Sequence, residues 1–342
     1  MAALTRPAQV LVRGAQSGEG AAVAALWREL WDAHEAWGGY PGSRDPRVYA
    51  QLAARLDDDV RVRGGHPILG RHVHLVADLD GTPCGQVEGW FDRLGVESPY
   101  TCEVRSLIVG ERQRGLGAGR ALLDRLADAA RSLSRNTPCV LAAEVLEPNP
   151  ARAFYERVGY VPVVWCARID AERGAAVGVG RARPAHPQDA LAIARLEAAL
   201  AARRRDAGDV RFDRPRAIDA TLVGAIAAHL ATHAGGSQRD PSSLVAVDEE
   251  GTVRAAASFT VHPLEPPFVP MRRALLGRFT VDPALPAGPF VAPLVALGCR
   301  MALAQGAPYV ELTDLPAPDS DLHAAALGTG ATPWSRVVIK VT

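Results

Sequence analysis

Between Val109 and Leu123 the chain reads Val-Gly-Glu-Arg-Gln-Arg-Gly-Leu-Gly-Ala-Gly-Arg-Ala-Leu-Leu, with glycines at 115, 117 and 119. The apolar spacing on either side predicts a strand ending at Val109 and a helix carrying Leu122, Leu126, Ala129 and Leu133 on one face. Backbone N–H groups bare of side chains at the positive end of a helix converge on anions. Residues 114 to 119 are therefore expected to cradle a diphosphate. A Walker loop would close on Gly-Lys-Ser/Thr, where this chain has Gly119-Arg120-Ala121. A Rossmann fingerprint would need GxGxxG after the first strand of a parallel unit, with an acidic residue about 20 positions on. Neither template fits.

The elements that must position this loop follow from periodicity. A short strand is expected at Gln9 to Arg13, an amphipathic helix over Gly18 to Glu35, and a second helix from Asp45, an N-cap followed by Pro46. His72 to Leu94 reads as a hairpin around an Asp-Gly turn. A strand at Thr101 to Val109 leads into the loop. A strand at Cys139 to Leu146, a short helix at Ala151 to Val158 and a last strand at Tyr160 to Ile169 complete the unit.

The second half runs through the same order. A strand begins it at Val177 to Arg183, helices follow at Pro187 to Arg205 and Pro215 to Thr232, and a second hairpin turns at Glu250-Gly251. A strand at Arg272 to Val281 precedes a helix at Pro289 to Gln305 and strands at Tyr309 to Thr313 and Trp334 to Val341. The offset of about 172 residues is half the chain, the mark of a duplication. A boundary is expected in a linker at Asp170 to Ala176, dividing the chain into residues 1–172 and 173–342.

The bulk composition narrows the function classes. The 342 residues carry 38 basic and 38 acidic side chains, without the basic clustering that tracks a phosphate backbone, so nucleic acid is not an expected partner. The basic side is almost wholly arginine, Lys340 being the sole lysine. Cys84, Cys102, Cys139, Cys166 and Cys299 are scattered without zinc-ligand spacing and read as reduced, mostly buried thiols; no metal is expected. No apolar run reaches the roughly 18 residues of a membrane span, and the opening residues lack a signal-peptide pattern, so a cytoplasmic protein is expected.

Arg114-Gly-Leu-Gly-Ala-Gly119, five residues after a strand-ending valine, resembles the R-x-x-G-x-G/A signature of the GNAT superfamily of N-acetyltransferases. The preceding Glu103-Val-Arg-Ser-Leu-Ile-Val109 looks like that family's fourth strand. Asn149 to Tyr160, NPARAFYERVGY, is similar to its Asn…Tyr-Glu-Arg-x-Gly-aromatic ending, with one residue fewer between Asn149 and Tyr155, so Asn149 receives no role. The resemblance covers residues 9 to 169. In the second half the equivalent stretch, Val281-Asp-Pro-Ala-Leu-Pro-Ala-Gly-Pro-Phe290, has no arginine or glycine pair, and its three prolines lack N–H donors. The fold implied is α/β (α+β): two tandem GNAT, or acyl-CoA N-acyltransferase, folds, each a mixed, mostly antiparallel sheet flanked by helices, the second degenerate at its loop.

The resemblance further implies acetyl-CoA as cosubstrate, with its diphosphate on the amides of Arg114, Gly115, Leu116, Gly117, Ala118 and Gly119. The pantetheine arm would pair with the backbone of Leu107 and Val109 in a cleft where the fourth and fifth strands splay. An amine of lysine-like pKa is only about 0.04% neutral at pH 7, so a general base is useful, and Glu103 stands where several family members carry one. Its plain alternative is a strand carboxylate paired with Arg105. Tyr155 matches the tyrosine that protonates the departing thiolate; its alternative is a core aromatic. Trp27 and Trp31 read as core, His34, Glu35 and Tyr40 as residues near an acceptor, and His72 and His74 as ordinary strand surface. The activity implied is acetyl transfer to a primary amine of a small molecule, by a monomer whose halves mimic a dimer or by a homodimer. A non-catalytic acyl-CoA sensor or scaffold, or a purely structural tandem domain, are the competing classes.

Overall fold

The computed structural model describes residues 10–63, 68–69, 71–93, 99–135, 137–177, 180–212, 217–233 and 242–342. Gln9, Leu94 and Pro215, at the ends of expected elements, and residues 178–179 within another lie outside the described residues. The first half supplies strands β1 (Val10–Gly14), β2 (Ile68–Leu69), β3 (His72–Leu79), β4 (Thr82–Arg93), β5 (Tyr100–Val109), β6 (Cys139–Leu146) and β7 (Val161–Asp170). Its helices are α1 (Gly20–Ala36), α2 (Pro46–Arg63), α3 (Ala118–Leu133) and α4 (Ala151–Arg157). After α5 (Ala171–Ala175) come β8 (Ala182–Pro184), α6 (Ala190–Asp206), α7 (Ala220–His233), β9 (Ser242–Val247), β10 (Val253–Pro263) and β11 (Arg272–Val281). The chain ends with α8 (Gly288–Ala304), β12 (Tyr309–Leu315), α9 (Asp321–Gly328) and β13 (Thr332–Val341).

The expected linker is a correction: Asp170 to Ala176 contains a helix, α5, because the Asp170 carboxylate accepts from Arg173 N at 2.9 Å and caps it. Gly174 is there for contact, since a Cβ would stand 2.3 Å from Cys299 Sγ on α8. The sheet also differs from two separate ones. A single 13-stranded sheet runs β1-β3-β4-β5-β6-β13-β7-β12-β11-β10-β9-β8, with β2 on β3. Each half has given its last strand to the other: β13 lies against β6, and β7 against β12. Among the described residues only β5–β6 and β11–β12 are parallel.

The repeat extends to an irregularity. Glu88 pairs with Arg105 and Gln86 with Ile108, so Ser106 and Leu107 together face Val87: a β-bulge, with Ser106 at φ 51. The extra residue exchanges the faces. Cys102 and Val104 enter the core under α3 before it, Leu107 and Val109 after it, and Ile108 turns to Leu26 and Leu30 of α1. Arg278, at the same offset from Ser106 as one half from the other, has φ 53 and makes the same slip in β11.

The halves are locked around β12. Glu311, fully buried, accepts from the Tyr40 hydroxyl at 2.6 Å and from Arg273, whose Nε lies at 2.9 Å. The loop after α1 is held by Ser43 N to Pro267 O at 2.6 Å and Val269 N to Pro41 O at 3.0 Å. Burial pushes the Glu311 carboxyl upward against the pull of Arg273. The folded chain then holds that proton more tightly than the unfolded one, so this group's contribution falls as pH rises from the ordinary carboxyl range through the raised value. Arg273→Ala is expected to cost about 3 kcal/mol near neutral pH, where Glu311 loses its cation, and less near pH 5, where protonation relieves it. Urea unfolding at the two pH values checks this, and equal losses would contradict it.

Candidate active site

The β5–β6 pairing ends at Val104–Ala143, and beyond it the strands part. A cavity of about 500 Å³ opens at this fork, between α1 and the starts of α3 and α4. Leu107, Val109, Arg114, Gly115, Gly117, Ala118 and Gly119 line it; Leu116, half exposed, is not among its walls. The geometry of the loop is glycine's own. Gly115 and Gly117 have φ 84 and 88, and Gly117 is the left-handed N-cap of α3. Gly119 is small for another reason: a Cβ there would stand 3.3 Å from the Phe154 ring. The first turn of α3 presents its N–H groups without intrahelical acceptors, as every helix start does.

Arg114 braces the loop as well as lining it. Its Nε donates to Val109 O at 3.1 Å and its Nη2 to Glu29 of α1 at 2.9 Å, and the same carboxylate accepts from Glu111 N. Arg120 and Arg157 join it among the walls, giving three guanidinium groups suited to an anionic ligand. Asn149, given no role from the sequence, lines the cavity and accepts from Ala151 N, the first residue of α4, at 2.8 Å.

The two expected acid–base groups lie apart. Glu103 is about half exposed on the β5 face away from α3, bonded to Arg105 at 2.6 Å. Tyr155 is buried in the α3 core, its ring edge-on to Tyr160 and Phe154; Phe154 forms part of the cavity wall. Burial raises its phenol well above the ordinary value, so it stays protonated at neutral pH.

Around the acceptor side, Trp27 is core, Trp31 is partly buried, and Glu35 pairs with Arg44 at 2.9 Å. His34 lies between Trp31 and Trp37, and burial lowers its imidazole to about 4. His72 and His74 are not a solvated strand surface: they turn toward α1, His74 bonding Gln86 at 2.7 Å and His72 bonding Glu88 at 3.1 Å while stacking on Trp90. Sequence reasoning also missed Glu144, Arg273 and Ser335, which the strand exchange brings to the fork. The five cysteines are all buried, and burial pushes Cys139 to about 11 and Cys299 to about 12, leaving inert thiols.

A second fork follows where the β11–β12 pairing ends at Leu276–Leu312. Asp314 accepts from the bulge amide Arg278 N at 2.9 Å and from Arg204 at 2.8 Å. Asp321 of α9 accepts from Ala287 N at 2.7 Å, at the start of α8. The Asp321 carboxylate thus stands at the positive end of α8, and the Asp314 carboxylate at the bulge of β11. No helix among the described residues is long and apolar enough to cross a membrane.

Residues 24–160 match the model of the acetyltransferase (GNAT) family. Sequence comparison with curated proteins gives no match. Among solved structures, a GCN5-related N-acetyltransferase from Sphaerobacter thermophilus is similar over 99% of this chain and 96% of its own, at 16% identity and a TM-score of 0.57. A tandem GNAT protein from the clavulanic acid biosynthesis pathway is 19% identical over 98% of both chains, with a TM-score of 0.49. A glucosamine N-acetyltransferase region of a fungal multi-domain β-N-acetylglucosaminidase is 14% identical, over 98% of this chain and 38% of that one, with a TM-score of 0.51. Residues 24–160, with the glycine loop at a strand fork inside them, are thus the segment of this chain that is similar to the acetyltransferase (GNAT) family.

Proposed function

We propose that the protein transfers an acetyl group from acetyl-CoA to a primary amine of a small molecule, with residues 1–172 as the catalytic domain and 173–342 as a degenerate copy without a cofactor loop. The observation that carries this reading is the cavity at the β5–β6 fork, walled by the glycine loop of the family-matched segment. The diphosphate would sit on the N–H groups of residues 114–119, and the pantetheine arm along Leu107 and Val109. A bulge amide would polarise the thioester carbonyl as charge develops on its oxygen. The amine nitrogen bonds to the acyl carbon, its surplus proton passing to Glu103 directly or through water. The C–S bond breaks, and the thiolate takes a proton from Tyr155.

Glu103 is suited to open its exposed pair with Arg105, since such pairs stabilise by only about 0–1 kcal/mol. Glu103→Gln is expected to lower kcat by about 10²-fold, the low end of general-base effects, with acetyl-CoA affinity unchanged. The founding experiment offers acetyl-CoA with a panel of primary amines and follows thiol release. Release that depends on one amine class supports the enzyme, whereas silence across the panel with acetyl-CoA still bound favours a sensor. Calorimetry is expected to find one acetyl-CoA per chain, because the carboxylates of Asp314 and Asp321 stand at the bulge of β11 and the start of α8; two would show that they are displaced.

A further inference from the structure

A second carboxylate stands at the fork and has no part in the chemistry above. Glu144 directly follows Ala143, the last β6 residue paired with β5, so it stands where the strands separate. Its neighbours Ala143 and Val145 pack in the α3 core, while Glu144 leaves on the opposite face with its side chain 42% exposed. Among the described residues two side-chain contacts hold it, and both come from the second half. Ser335 Oγ on β13 donates to Oε1 at 2.6 Å, and Arg273 Nη2 on β11 lies 3.7 Å from Oε2. From α1, His34 feels the same carboxylate, which opposes the fall in its pKa.

The nearby cations are already engaged. Arg273 forms its closer bonds to buried Glu311, whose other oxygen takes the Tyr40 hydroxyl. Arg168 lies 3.7 Å above the Trp334 ring and donates to Gly38 O. Glu103, on the neighbouring strand and paired in register with Ala142, shares this face and is tied to Arg105. Glu144 is thus a solvent-facing carboxylate beside the place where the acyl group would emerge, with its Oε1 fixed by a neutral hydroxyl.

Resting on the acetyl transfer proposed above, the geometry points to Glu144 as the seat of the acceptor's ammonium group, in a subsite that the second half completes through Ser335 and Arg273. The acceptor class is then a cationic primary amine. Discrimination arises because a neutral isostere leaves the carboxylate unpaired. The second half, proposed above as a degenerate copy, thus supplies two of the groups that hold this carboxylate.

The test uses the full chain loaded with coenzyme A and titrated with benzylammonium and with benzyl alcohol, the same ring with and without charge, reading the His34 ring signals by NMR. Benzylammonium is expected to bind about fivefold more tightly, the scale of a half-exposed ion pair. Glu144→Gln should erase that preference, and Ser335→Ala should reduce it without altering thermal unfolding by more than a small amount. Equal affinities in the wild-type chain, or a preference that survives Glu144→Gln, would overturn the assignment. Acetyl-CoA uptake is measured alongside. Normal uptake without ammonium preference sinks this assignment alone, while no uptake by the wild-type chain sinks the acetyltransferase reading and this one with it.

Discussion

Gly117→Val is expected to weaken acetyl-CoA binding by about 10²–10⁴-fold while the fold persists, because it removes about two charge-assisted hydrogen bonds of roughly 1.5–3 kcal/mol each. Gly117 has φ 88 and caps α3; a β-branched residue strains that conformation by about 1–3 kcal/mol and turns the following amides from their common focus. A Cβ at this position meets no protein atom within 4 Å. The substitution therefore creates no overpacked core, unlike one at Gly119, where Phe154 stands close. Calorimetry with acetyl-CoA reads the loss and circular dichroism reads the fold. Undiminished affinity would place the cosubstrate elsewhere than on this loop.

The conformation of that loop is the most legible part of the molecule, because a left-handed turn between strand and helix needs only glycines, a strand pattern before it and a helical one after it. The capped start of α2 was equally plain: Asp45 accepts from Arg47 N at 2.9 Å, with Pro46 opening the helix. Even the β5 bulge leaves a trace, since apolar positions pass from 102 and 104 to 107 and 109. The strand exchange leaves none. Both β7 and β13 bury residues on both faces, so their alternation fits either half, and only the tertiary pairing decides which neighbour each takes. Glu144 is illegible in the sequence for the same reason. One charge in the apolar run Cys139 to Leu146 has a meaning only when β13 and β11 of the other half stand beside it. The short helix α9 is illegible too, because Asp321 to Gly328 is too brief for periodicity to distinguish from a loop, although Ser320 caps it at His323 N.

Tyr155→Phe separates a packing role from a chemical one, since it keeps the ring and deletes a hydroxyl. The ring stands edge-on to Tyr160 at 5.1 Å and to Phe154 at 5.6 Å, contacts that phenylalanine reproduces. If the residue is only core, kcat stays as it was. If it protonates the thiolate, kcat is expected to fall by about 10²–10⁴-fold, the usual scale for a positioned acid, with acetyl-CoA affinity little changed. The pH profile sharpens the choice. Burial raises the phenol, so the acid remains protonated across the alkaline range in which amines become nucleophilic, and the wild-type rate should climb with pH as the amine deprotonates, without a falling limb from Tyr155. In the Phe variant expulsion of the unprotonated thiolate becomes limiting, so replacing acetyl-CoA with a thioester of a more acidic thiol should restore much of the rate. A variant that shows neither the drop nor this recovery would return Tyr155 to the core and leave water to protonate the leaving group.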